Sequence, residues 1–180
     1  MEKTEARKLA KEYRKNLDEG TKRKMDEAIK RTFLSLADVK NARKICVYLS
    51  ILNEVETKEI IKELLFQGKR IFAPVVVGEK MIVREFSDFS ALKEGAFGIL
   101  EPQGRELSSS ELDLIVVPMV AYNLSLDRIG YGKGYYDRFL PVGVTTVGLA
   151  YHGQKFDFVP NQFDKPLDFI VTDEGVLSCE

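Results

Sequence analysis

Hydrophobic positions recur at helical spacing at the start of the chain and at strand spacing later. Over residues 1–17 the apolar side chains Ala6, Leu9, Ala10, Tyr13 and Leu17 fall on one stripe, which predicts a helix. Lys3, Arg7 and Arg14 line up beside that stripe, because steps of three and four residues stay on one helical face. Asp18 reads as the N-cap of a second helix over residues 19–37, with Met25, Ala28, Ile29, Thr32, Phe33 and Leu36 on its buried face. The pattern then shortens. Residues 44–49 form a β-branched strand. Residues 57–67 return to helical spacing, with Ile60, Ile61, Leu64 and Leu65 inward and Gly68 as the stop. Residues 70–77 are the next strand, and Pro74 within it points to a strand end or an edge. A turn at Gly78-Glu79 leads into 81–86, a hairpin partner. Residues 92–104 are loop-rich, and Ser108–Ser110 cap a short turn before the apolar strand 112–118. A glycine-rich loop, a helix to about Leu140, and strands 144–150 and 167–172 complete the chain. Strands alternating with helices predict an α/β fold: a single-domain three-layer α/β/α arrangement with a mostly parallel mixed sheet and two N-terminal helices.

Composition removes several classes of function. With 180 residues, 44% hydrophobic and 31% charged, the chain is long enough to bury its own core as one domain. No apolar run approaches the roughly 18 residues of a membrane span, and the charged start lacks the apolar stretch of a signal peptide. Two cysteines, Cys46 and Cys179, make no disulfide framework, so a cytoplasmic protein is expected. One histidine, His152, and no Cys/His cluster argue against a zinc site, and His152 reads as a polar loop residue. Residues 1–31 hold eleven Lys/Arg against seven Asp/Glu, a local surplus of +4. The net charge of the whole chain is only −1, too little for a dedicated nucleic-acid binder.

The chemistry concentrates in residues 128–137, Arg-Ile-Gly-Tyr-Gly-Lys-Gly-Tyr-Tyr-Asp. Gly130, Gly132 and Gly134 free the backbone to bend so that consecutive N–H groups aim at one anion. Lys133 sits inside the bend, Arg128 stands before it, and Asp137 follows within one turn, where it can meet Mg²⁺ beside a polyphosphate. The apolar strand ahead of the loop completes a strand–loop–helix order used for nucleotide phosphates. The spacing is Gly-x-Gly-x-Gly, neither a Walker loop nor a dinucleotide fingerprint. A tight surface turn is the simpler reading of the glycines alone.

The run from Arg128 to Arg138 resembles the signature of the 5-formyltetrahydrofolate cyclo-ligase family. Glu54-Val-Glu-Thr57 before an Ile-Ile helix, Phe97-Gly98-Ile99 with Glu101-Pro102, Asp164-Lys-Pro-Leu-Asp168 and Lys3-x-x-x-Arg7 are similar to further family segments, in family order. Two departures stand upstream of the glycines: Asn123 where the family usually has Asp, and Leu126 where it usually has Gly. The resemblance implies MgATP-dependent closure of 5-formyltetrahydrofolate to 5,10-methenyltetrahydrofolate, with ADP and phosphate released. It implies Arg128 and Lys133 as catalytic cations. For ATP it implies Lys3, Arg7, Ile129, Gly130, Tyr131, Gly132, Gly134, Tyr135 and Tyr136 besides those two. For the folate it implies Ile51 and Glu56, with Tyr131, Gly132, Lys133, Gly134 and Tyr135 shared. For Mg²⁺ it implies Asp137 and Asp164. A monomer acting on these two small molecules, with no nucleic-acid or membrane partner, is expected. Plainer roles stay open beside these. Asp137 and Glu56 each suit a first-turn helix acid, and Glu56 also suits an N-cap. Asp164 suits a loop turn, Lys3 and Arg7 a solvated stripe, and Ile51 a core contact. Two other functions stay open as well: a non-catalytic nucleotide or phosphate sensor on the same fold, and an RNA-associated protein using the basic helices.

Overall fold

A computed structural model describes residues 1–179. The helix α1 spans Lys3–Asn16 and α2 spans Glu19–Ser35. The Asp18 carboxylate caps α2 by accepting the Thr21 N–H at 2.8 Å. The second helix stops two residues short of the expected end. Ser35 Oγ donates to the Thr32 carbonyl at 2.6 Å, the acceptor that a continuing helix would offer to Leu36 N–H. Leu36 turns extended, and a separate turn of helix α3, Ala37–Asn41, brings Val39 into the core. The helix α4, Lys58–Phe66, ends in a Schellman turn. Gly68 takes φ +81°, Gly68 N–H bonds Leu65 O, and Lys69 N–H bonds Leu64 O.

Eight strands build the main sheet: β1 Lys44–Val47, β2 Arg70–Val77, β3 Lys80–Phe86, β4 Glu106–Leu107, β5 Leu114–Val117, β6 Thr145–Leu149, β7 Phe169–Thr172 and β8 Gly175–Ser178. Their spatial order is β8-β7-β6-β5-β1-β2-β3-β4. The central five are parallel, and β8, β3 and β4 join antiparallel at the edges. Pro74 sits in β2, an inner strand. It lies beyond Phe72, the last residue that pairs with β1, so its missing N–H breaks no ladder bond to β1.

Alternation along the strands feeds two cores. Ile45 and Val47 join Met25, Ile29 and Phe33 of α2 and Ile60, Ile61 and Leu64 of α4 on one face. Cys46, Ile115 and Val117 face the other way, under Leu126, Leu140, Leu167 and the half-buried Tyr136 and Phe139. The last two belong to a short helix, α5, Tyr135–Phe139, so the second helical layer is thin and mostly loop. Ala6 and Ala10 of α1 pack with Val120, Ala121, Ile129 and Phe158 as a third cluster. Among the described residues no helix is long and apolar enough to cross a membrane.

One connection differs from the expected strand–loop–helix order. Between β5 and the glycine loop lies a two-stranded ribbon, Ala121–Tyr122 with Arg128–Ile129. Two-residue strands carry too little periodicity to register as strands in the hydropathy pattern.

Candidate active site

The chain runs from β1 to β2 on one side and later lays β5 on the other side of β1. Order therefore reverses between β1 and β5, and the crevice at their C-terminal ends is where open α/β sheets bind ligands. A cavity of about 610 Å³ opens there, lined by Tyr48 and Leu49 after β1 and Pro118 after β5. The glycine loop forms one wall and the 96–101 loop another, and the β2–β3 hairpin, α1 and the 161–164 loop close the rest.

Gly132 and Gly134 adopt φ +99° and +69°, which a β-branched residue would resist. Gly130 needs no left-handed backbone; its carbonyl accepts Arg7 Nε–H at 2.9 Å, tying α1 to the loop. Lys133 Nζ lies 3.5 Å from the centre of the Phe97 ring. Lys3 forms an ion pair with Asp164. Arg128 is buried, donates from Nη2 to Asp137 Oδ1 at 2.9 Å, and leaves its Nε without a partner. Burial pulls the Arg128 pKa down, and Asp137 opposes that shift. Tyr135 donates its hydroxyl to Gly78 O at 3.2 Å, while Tyr136 stands under the Arg128 guanidinium.

Every expected nucleotide residue lines this cavity: Lys3, Arg7, Arg128, Ile129 and Gly130 through Tyr136. Ile51 lines it as well, and so do Asp137 and Asp164. Glu56 does not. Its carboxylate accepts from Lys58 N–H at 2.8 Å and from Ser50 Oγ, so it is spent on the first turn of α4. The acid in the wall is Glu54, 6% exposed, which accepts the Tyr131 hydroxyl at 2.7 Å on Oε1 and Ile51 N–H at 2.9 Å on Oε2. Burial pushes the Glu54 carboxyl above its usual range, and burial with the nearby Glu54 charge lifts Tyr131 to about 12. Both acids stand in one Glu-Val-Glu run, and spacing alone does not say which one meets the cavity. Phe97 also lines the cavity, at φ +59° in the tip of the 96–101 loop.

Among the described residues no three His, Cys, Asp or Glu gather tightly enough to cage a metal. Asp137 and Asp164 are each paired with a cation, though both face the same space. Such a donor set suits an Mg²⁺ ion that takes most of its ligands from phosphate and water.

The two departures upstream of the loop have a backbone explanation. Leu126 takes φ +67°, a conformation that favours glycine, and its side chain is buried in the second core. Asn123 Oδ1 accepts the Ser125 and Asp127 N–H groups at 3.0 Å each, closing the turn. His152 lies away from the cavity. The fold brings it an acid that its sequence neighbourhood lacks, with Nδ1 at 2.7 Å from Asp173 Oδ2.

Comparison with known proteins gives the family and matches the fold. The family model described as "5-formyltetrahydrofolate cyclo-ligase family" matches residues 1–173. The 5-formyltetrahydrofolate cyclo-ligase of Haemophilus influenzae is 30% identical over 175 residues, covering 91% of each chain. The solved structure of Aquifex aeolicus 5,10-methenyltetrahydrofolate synthetase superposes with a TM-score of 0.89 at 36% identity, covering 99% of this chain and 93% of that one. The Mycoplasma pneumoniae 5,10-methenyltetrahydrofolate synthetase superposes with a TM-score of 0.81 at 26% identity, covering 96% and 99%. With that family model matching residues 1–173 and the Haemophilus influenzae relative 30% identical across 91% of both chains, the chain belongs to the 5-formyltetrahydrofolate cyclo-ligase family.

Proposed function

We propose that this protein converts 5-formyltetrahydrofolate to 5,10-methenyltetrahydrofolate, using ATP with Mg²⁺ and releasing ADP and phosphate. The observation that carries the reading is the pairing of two unlike walls in one cavity. One wall is a glycine loop ringed by Lys3, Arg7, Arg128 and Lys133. The other is a buried acid, Glu54, among Leu49, Ile51, Tyr131 and Phe97.

A formamide carbon is a poor electrophile and its oxygen a poor leaving group, which is why a phosphoryl donor is required. The formyl oxygen attacks the γ-phosphorus, and the bond from that phosphorus to ADP breaks. N10 then adds to the activated carbon and loses its proton. The carbon–oxygen bond breaks, phosphate departs, and carbon joins N5 to N10 as the methenyl bridge. The protein's work is positioning and charge compensation. The loop N–H groups, Lys133 and Arg128 meet the phosphates, and the planar fork of Arg128 suits two oxygens at once. Lys3 and Arg7 hold the triphosphate from the α1 side. Asp137 and Asp164 would hold the Mg²⁺ that travels with the nucleotide, which supplies neutralising charge. Glu54, in place of Glu56, accepts N–H groups of the pterin ring. Binding a triphosphate then redistributes the Arg128–Asp137 and Lys3–Asp164 pairs. The test is the rise in methenyl absorbance when purified protein meets 5-formyltetrahydrofolate, with and without ATP. Nucleotide binding without any absorbance change would favour a non-catalytic nucleotide binder.

A further inference from the structure

Behind Tyr131 the cavity wall has a second layer. Arg14 comes from α1, Tyr131 from the glycine loop and Glu54 from the segment between β1 and α4. They form one hydrogen-bonded row. Arg14 Nη2 donates to the Tyr131 hydroxyl at 3.2 Å, and that hydroxyl donates to Glu54 Oε1 at 2.7 Å. Arg14 does not line the cavity and is 6% exposed. Its Nη1 makes a long 3.4 Å contact to Met119 O, and its Nε has no partner. A buried guanidinium on a helix face otherwise carrying Ala6 and Ala10 is costly for packing alone.

We propose that Arg14 is a positioning residue for the folate half of the reaction: through Tyr131 it fixes the orientation of Glu54 and balances the charge that Glu54 presents to the cavity. The inference rests on the proposed function above. Glu54 is faced by Arg14 from α1, Lys22 from α2, Tyr48 after β1, Tyr131 from the glycine loop and Tyr136 from α5. The Tyr151 hydroxyl, after β6, lies 3.4 Å from the Glu54 carbonyl and donates to Asp26 Oδ1 at 2.5 Å. Only Arg14 and Lys22 in this set are cations, and Lys22 is already paired with Asp26 at 2.8 Å. Of these two cations, Arg14 is the one with no ion-paired acid of its own, and Lys11 Nζ stands farther out, 5.6 Å from the centre of the Tyr131 ring.

The sign follows from the burial of Glu54. Burial raises its carboxyl, while the Ile51 N–H, the Tyr131 hydroxyl, Arg14 and Lys22 pull it back down. Removing Arg14 or the Tyr131 hydroxyl leaves burial less opposed. More of the acid is then protonated at a given pH, and a protonated carboxyl accepts pterin N–H groups poorly. The acid limb of kcat/KM for 5-formyltetrahydrofolate should therefore move to higher pH.

The test compares Arg14→Met, Arg14→Lys and Tyr131→Phe with the unmodified protein by methenyl absorbance, from acid to neutral pH, beside thermal melts. Arg14→Met and Tyr131→Phe should each raise KM for 5-formyltetrahydrofolate about tenfold, the lower end of what losing a supporting shell costs. Each should also shift the acid limb upward, and Arg14→Met, at a residue outside the cavity lining, should leave KM for ATP within about twofold. Arg14→Lys should recover part of the loss. If Arg14→Met does not fold, Tyr131→Phe decides, since it removes one oxygen and keeps the ring and the loop backbone. An unmoved acid limb in both variants would overturn the role, as would an equal rise in both KM values for Arg14→Met. An unmodified protein that never turns over 5-formyltetrahydrofolate would instead overturn the functional reading, and this inference with it.

Discussion

Replacing Asp137 with Asn keeps the shape of the side chain and removes its charge. The structure makes this a test of two roles at once. Without nucleotide, Asp137 is the partner of a buried guanidinium: the Arg128 and Asp137 side chains are 5% and 29% exposed, with 2.9 Å between Nη2 and Oδ1. Breaking a fully buried pair leaves an uncompensated charge and costs about 3–5 kcal/mol. Two features reduce that here. Water reaches Asp137, and the Asn oxygen still accepts from Nη2. The loss should fall near that of one hydrogen bond to a charged group, about 2 kcal/mol. For a chain of this length that lowers Tm by about 4–8 °C. The first assay is a thermal melt of nucleotide-free protein. A double-mutant cycle with Arg128→Met should return a coupling of about 1–2 kcal/mol, since the two groups touch. The second assay is activity against Mg²⁺. If Asp137 also meets the ion, the variant needs more Mg²⁺ and regains part of its activity at high Mg²⁺. An unshifted melt with additive single variants refutes the ion-pair argument. A lowered melt with an unmoved Mg²⁺ curve refutes the metal contact and leaves Asp137 a purely structural acid.

Four further outcomes are expected. Glu54→Gln should lower kcat/KM for 5-formyltetrahydrofolate about 10- to 100-fold through weakened charge-assisted hydrogen bonds. Glu56→Gln should leave kinetics nearly unchanged and cost about 0.5–1 kcal/mol in a denaturant melt; the reverse ranking would return the folate contact to Glu56. Lys133→Ala should lower kcat about 10- to 1000-fold at saturating ATP, as expected for a cation stabilising charge in the transition state; unchanged single-turnover rates would remove Lys133 from the phosphate site. Leu126→Gly relieves a left-handed backbone worth about 1–2 kcal/mol but deletes a buried side chain worth about 2–5 kcal/mol. The expected net loss is about 1–3 kcal/mol by urea titration, and a stabilised variant would contradict the packing assigned to Leu126.

What the sequence determined by itself lies within short spans of chain. The stripes of α1 and α2, the Asp18 cap, the β-branched runs of the parallel strands and the Gly68 stop follow from local periodicity and from backbone freedom. The glycine loop was legible for the same reason, with Lys133 and Arg128 in one run beside Asp137. Even there the local reading had gaps. The end of α2 at Ser35 carries one hydroxyl bond to the Thr32 carbonyl that periodicity does not show, and the ribbon before the loop pairs only two residues on each strand.

Tertiary structure decided the site. Strand order placed the end of β1 beside the end of β5 and so opened the cavity, and no segment of chain encodes that reversal. The pairing of Lys3 with Asp164 closes 161 residues of chain, and the row from Arg14 through Tyr131 to Glu54 draws on three separate elements. His152 gained Asp173 in the same way. Glu54 and Glu56 show the reason most plainly. They have the same chemistry two residues apart, so no local rule separates them. Packing separates them: one carboxylate turns into the wall beside Tyr131 and the other is used up at the start of α4. Periodicity says which residues a segment can bury, but only the neighbours supplied by distant segments settle what each buried polar group will face.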